Sequence, residues 1–137
     1  MLSSKIKYKE GYNYQLHVDY SIQTNIYTTK EIRTDYLQLT TKGVLTCFKG
    51  YCYDGATGTY DSSNIMRGSL VHDALYQLMR MELITRLNKN VADRLLQSIC
   101  KEDGMSTFRA WLVYSAVKKF GNPSTNPKNR KKIITAP

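Results

Sequence analysis

The chain has 137 residues, 42% of them hydrophobic, and a formal net charge of +9, which suits a single soluble domain around one modest core and leaves no room for a second. No stretch approaches the roughly 20 apolar residues that cross a bilayer, and residues 1–7 lack the apolar run of a signal peptide, so synthesis in the cytoplasm without export is expected. Cys47, Cys52 and Cys100 are odd in number and form no CxxC pair, which argues against a disulfide framework or a zinc site and suggests buried thiols.

In chain order, Tyr12, Tyr14, Leu16, Val18 and Tyr20 alternate with Asn13, Gln15, His17 and Asp19. A strict period of two predicts a strand with one face on a core, and it leaves His17 on the polar face. A weaker extended segment runs over residues 25–32. Residues 36–40 and 44–48 then flank Thr41-Lys42-Gly43, whose glycine can take the positive φ of a tight hairpin. Three or four antiparallel strands are expected in all.

After Gly50 the period changes. Residues 51–59 form a glycine-punctuated loop, and Asp61, Ser62 and Ser63 offer caps for a first helix over about residues 64–83. Gly68 and Ser69 within it suggest a bend or a close approach by a neighbour. A second helix is expected over 90–101, stopping at Glu102-Asp103-Gly104. A third is capped by Ser106, has an apolar face of Phe108, Trp111, Leu112, Ala116 and Phe120, and ends at Gly121. Strands first and helices last give an α+β order: one domain over residues 1–121, with 122–137 as a basic extension containing Pro and Asn.

Six of the positive charges lie after position 117 with no acidic residue among them, which leaves only +3 for the rest of the chain. In the extension, Lys128, Arg130, Lys131 and Lys132 are candidate partner-binding residues. An acidic protein surface, anionic lipid and nucleic acid are all compatible with such a segment, as is a solubilising terminus. No aromatic residue interleaves these charges, which disfavours a base-stacking platform.

The chemistry concentrates in Val71-His72-Asp73-Ala74-Leu75-Tyr76 and Ala92-Asp93-Arg94. A histidine and carboxylates in apolar helices are costly unless bonded to each other, to water or to a metal. His72 and Tyr76, four apart, share a face, and Asp73 is turned by about 100° from it. If the second helix packs antiparallel on the first, Asp93 comes opposite His72 and can fix its tautomer, leaving the other ring nitrogen to take a proton from water. Asp73 with carbonyl oxygens of the glycine loop would suit calcium. Arg67, Arg86 and Arg94 are the simplest partners for these carboxylates.

Tyr53-Asp54-Gly55-Ala56, the run from Met66 to Tyr76, Arg86, Ala92-Asp93-Arg94, Phe108-Arg109-Ala110-Trp111 and Val117 to Gly121 together resemble a bacteriophage and prophage family of unknown function, over residues 34–121. Thr57 and Gly58 stand where that family usually has serine and proline. The resemblance implies a phage-encoded protein, associated with the virion, its tail or lysis, whose partners are other virion proteins. More distantly, the glycine loop, the HDxxY helix and the later aspartate resemble small phospholipases A2 and the phospholipase domains of parvovirus capsids. That similarity implies a calcium-dependent ester hydrolase with His72, Asp93 and Tyr76 as catalytic residues and Asp73, Gly55 and Asp54 as metal donors. A histidine-aspartate phosphohydrolase is disfavoured, because only His17 lies upstream as a further ligand. Two non-catalytic readings remain: a virion structural or adaptor protein whose His-Asp network only fixes helix packing, and a nucleic-acid-binding accessory protein acting through the basic tail.

Overall fold

Alternation from residue 13 onward builds two strands rather than the single one expected. The computed structural model describes residues 8–11, 13–53 and 63–127. Among these residues the strands are β1 Tyr8–Gly11, β2 Asn13–Leu16, β3 Tyr20–Gln23, β4 Ile32–Arg33, β5 Leu37–Leu39, β6 Val44–Cys47 and β7 Cys52–Tyr53. The chain leaves one sheet for another at residues 17–19. There the Asp19 carboxylate accepts the Lys49 amide at 2.7 Å, and Leu16 exchanges backbone bonds with Gly50 and Tyr51. Val18 is consequently 40% exposed, whereas Leu16 and Tyr20 on either side of the break are buried. One antiparallel sheet has the order β1-β2-β7 and the other β3-β6-β5-β4.

The β5–β6 hairpin forms where expected, with Gly43 at φ +85° and Leu37, Leu39, Leu45 and Cys47 wholly buried. Truncating any one of these leucines to alanine would cost about 2–5 kcal/mol by removing apolar burial and leaving a void.

The helices are α1 Met66–Arg80, α2 Lys89–Glu102, α3 Thr107–Phe120 and a short α4 Asn122–Thr125. The α+β order is that of strands in two small sheets followed by helices in one body. Ile65 occupies the N-cap of α1 without a side-chain cap bond; Asp61 and Ser62 lie outside the described residues. Ser106 caps α3 as expected, accepting the Arg109 amide. A 3-10 turn over Arg86–Asn88, capped by Thr85, leads into α2. Asn122–Thr125, at the start of the segment expected as an extension, packs against α1, and Thr125 is buried.

Three residue pairs give the direction of α2 against α1: Arg67 with Asp103, Gly68 with Leu96, and His72 with Asp93. Positions rise on α1 as they fall on α2, so the helices are antiparallel. Gly68 permits a close approach, since a Cβ there would stand 2.9 Å from Leu96 Cδ1 and 3.2 Å from Cys100 Sγ. At one end the buried Arg67 guanidinium forks onto Asp103, donates to Glu102 at 3.2 Å and reaches the Tyr20 hydroxyl at 2.9 Å. One side chain thereby ties α1, the end of α2 and β3 together.

Two expectations are corrected here. Cys47 and Cys100 are buried thiols but Cys52 is exposed. More consequentially, α3 turns Ala110, Val113, Tyr114 and Val117 inward and leaves Phe108, Trp111, Leu112 and Phe120 exposed. Small and β-branched side chains let α3 approach the cluster formed by Ile65, Leu96, Cys100 and Met105, whereas the bulkier face would hold it further off.

Candidate functional site

Helical spacing brings His72 and Tyr76 to one face of α1, and the antiparallel packing sets Asp93 of α2 against them. His72 Nε2 lies 2.7 Å from Asp93 Oδ1, and the Tyr76 hydroxyl donates to that same oxygen. The His72 and Tyr76 rings are in contact, with centroids 4.0 Å apart. Asp93 is wholly buried and His72 is 5% exposed.

The other carboxylate oxygen accepts from Lys89 Nζ at 2.8 Å, one turn earlier on α2. Lys89 also donates to the Val117 and Lys118 carbonyls at 3.1 and 3.3 Å. All three ammonium hydrogens are therefore used, and the last turn of α3 is joined to the site. Sequence reasoning missed Lys89. The available signal was its i, i+4 spacing from Asp93. The arginines nominated as carboxylate partners serve elsewhere: Arg67 at Asp103, Arg86 at Thr125 and Asn122, and Arg94 at Gln97 with its guanidinium over the Tyr114 ring.

Protonation follows from these contacts. Burial opposes a charged Asp93, yet the hydrogen bonds from His72, Lys89 and Tyr76 outweigh it and hold the carboxyl below its usual range. Burial also lowers the His72 pKa, and its pairing with Asp93 only partly offsets this. Near neutral pH the pair is thus an imidazole beside a carboxylate. A carboxylate only accepts, so Nε2 carries the hydrogen and Nδ1 presents a lone pair. Among the described residues no group hydrogen-bonds to Nδ1.

Asp73 is half-buried on the adjoining face of α1. Gln77, four residues later on that face, accepts from the Tyr51 hydroxyl at 3.0 Å, so Asp73 looks toward the chain entering β7. It is a hard oxygen donor of the kind calcium takes. Among the described residues no three His, Cys, Asp or Glu side chains gather as a metal group; one carboxylate completed by loop carbonyls would be a different donor set. Asp54 and Gly55 lie outside the described residues, as do Lys128, Arg130, Lys131 and Lys132. His17 is exposed.

Gly121 closes the arrangement from the end of α3. A Cβ there would stand 2.6 Å from the Tyr76 hydroxyl and 2.4 Å from the Val117 carbonyl oxygen.

Residues 58–117 match the family model described as "Protein of unknown function (DUF1353)". The DUF1353 match is shorter than the 34–121 span of the sequence resemblance and contains His72, Asp73, Tyr76, Lys89 and Asp93, whereas Gly121 falls beyond it. Neither curated proteins nor solved structures gave a match. Among the described residues no helix is long and apolar enough to cross a membrane.

Proposed function

We propose that the protein is a phage- or prophage-encoded ester hydrolase of the phospholipase A2-like kind, made in the host cytoplasm and acting with other virion or tail proteins or in lysis. The observation that carries the chemistry is His72, neutral and clamped through Nε2 to an ionised Asp93, with the Nδ1 lone pair unused by any described residue. The phage association is supported by the resemblance of the motif series in the sequence.

In this reading His72 Nδ1 accepts a proton from water as the water oxygen bonds to the ester carbonyl carbon. The same nitrogen returns the proton to the alcohol oxygen as the ester C–O bond breaks. Asp93 stabilises the transient imidazolium, and Tyr76 holds the carboxylate in place. Lys89 opposes that imidazolium and tempers the basicity of the pair. Asp73, with Asp54 and Gly55, is the candidate holder of calcium, whose chemistry when bound is polarisation of the ester carbonyl. The test is release of fatty acid or alcohol from phospholipid and soluble esters, with calcium and with chelator, for wild type and His72→Gln. Calcium-dependent turnover lost in the variant is expected; identical background rates in every sample would remove the hydrolase reading.

A second reading is favoured by one specific observation. Asp93 already has partners on both oxygens and His72 is nearly buried, so the network serves equally as a pin that fixes α1 against α2 in a non-catalytic virion protein. His72→Gln would then alter stability alone. Nucleic-acid binding through Lys128, Arg130, Lys131 and Lys132 would instead give duplex affinity that falls steeply with salt.

A further inference from the structure

The outward face of α3 is a surface that the hydrolase reading does not use. Phe108, Trp111 and Leu112 are 66%, 50% and 45% exposed, and Phe120 at the helix end is 65% exposed. With about 100° per residue, Phe108, Trp111, Leu112 and Lys119 fall within a single arc of roughly 100°. The Phe108 and Trp111 rings lie together, with centroids 6.2 Å apart, and Lys119 Nζ lies over the Phe120 ring at 5.4 Å. Lys118 and Lys119 are both exposed, and no aspartate or glutamate occurs from Gly104 to Pro137.

We infer that this face is a docking surface for anionic lipid, lying in the headgroup layer with its aromatic rings inserted and its lysines at the phosphates. Aromatic and leucine side chains on one stripe, with lysines beside them and no acid, match the physical requirements of an interfacial helix: buried apolar area plus attraction to negative headgroups. Charge disfavours the other occupants. A second copy applied face to face would bring together two helices that each carry Arg109, Lys118 and Lys119 and no carboxylate. The chain's own residues 128–132 carry the same sign. The inference rests on this surface and stands whether or not His72 is a general base.

Trp111 is the only tryptophan, so its fluorescence reports on this face alone. The full chain is titrated with vesicles of phosphatidylcholine and of phosphatidylcholine with phosphatidylglycerol, at low and at high salt, with sedimentation of the vesicles in parallel. With the anionic vesicles Trp111 emission should move to shorter wavelength and protein should co-sediment, and both effects should weaken with salt. Phe108→Ser, at an exposed position that leaves the core intact, should weaken partitioning by about tenfold or more, as loss of one buried aromatic side chain predicts. Lys118→Glu with Lys119→Glu should weaken binding to the anionic vesicles and the accompanying Trp111 shift. No emission shift with anionic vesicles would overturn the inference, as would co-sedimentation without a shift, which would assign binding to the tail alone. A lipid-independent shift that grows with protein concentration, accompanied by a doubled mass in ultracentrifugation, would put a second copy on this face and overturn it as well.

Discussion

Lys89 and Asp93 stand one turn apart on α2 with Nζ 2.8 Å from Oδ2, and this pair gives the wholly buried carboxylate its only full-time positive charge among the described residues. Removing the cation leaves a buried carboxylate supported by a neutral imidazole and a phenol. Lys89→Met is expected to lower stability by about 3–5 kcal/mol, the range for removing one partner of a buried ion pair and leaving the other charge buried. It should also raise the His72 pKa, because the ammonium opposes protonation of the imidazole. Denaturant unfolding checks the first effect, and the His72 proton resonances followed against pH check the second.

Asp93→Asn tests the role of the carboxylate more directly. The amide keeps the shape of the side chain but loses the charge that Lys89 meets. Breaking such a buried pair typically costs about 3–5 kcal/mol. If His72 is a general base, ester hydrolysis should fall by about 10²–10⁴-fold, the usual contribution of a positioned proton acceptor. The pinning role alone predicts the stability loss with no activity to lose.

Acid should destabilise the fold through both members of the pair. Burial lowers the His72 pKa in the folded chain, so the unfolded chain binds the extra proton once pH falls below about 6.5, and stability declines from there downward. Asp93 is also lowered, with His72, Lys89 and Tyr76 overcoming burial; its contribution is present above the unfolded carboxyl pKa of about 4 and is lost as pH falls through the folded value. His72→Gln should flatten the stability profile just below about pH 6.5, where the unfolded imidazole takes up a proton before the folded one does. A variant profile parallel to wild type across that window would show that His72 does not couple to folding.

Gly121→Ala is expected to be disproportionately harmful for one methyl group. The new Cβ would stand 2.6 Å from the Tyr76 hydroxyl and 2.4 Å from the Val117 carbonyl, so either α3 shifts or Tyr76 leaves Asp93. Overpacking of this kind costs about 1–3 kcal/mol. Pairing the change with Tyr76→Phe separates the causes: removing the hydroxyl should relieve part of the clash, giving a double-variant loss smaller than the sum of the two.

Arg67→Met should release the far end of the α1–α2 pair. The substitution leaves Asp103 without its guanidinium and Tyr20 without its donor, and a loss of about 3 kcal/mol is expected from breaking a mostly buried ion pair. Hydrogen exchange should then rise at the end of α2 before it rises near Asp93, because Lys89 and His72 hold the opposite end.

Much of this was legible in the chain because it depends on local spacing. Alternation at residues 13–16, glycine at 43 and the four-residue step from His72 to Tyr76 are properties of a strand, a turn and a helix taken alone, and each appears where the residues imply. Other features belong to packing between elements. The strand expected through Tyr20 divides between two sheets because Leu16 bonds to Gly50 and Tyr51, a long-range choice invisible to a local period. Helix α3 has two apolar faces, so periodicity alone could not set its phase; proximity to α2 selected Ala110, Val113 and Val117 and left Trp111 outside. The sequence by itself determined that a histidine, a tyrosine and an aspartate had to be reconciled inside apolar helices. Only the tertiary structure decided that Lys89, held by the closing carbonyls of α3, would neutralise the aspartate, because the net charge around a buried group is fixed by which elements meet there.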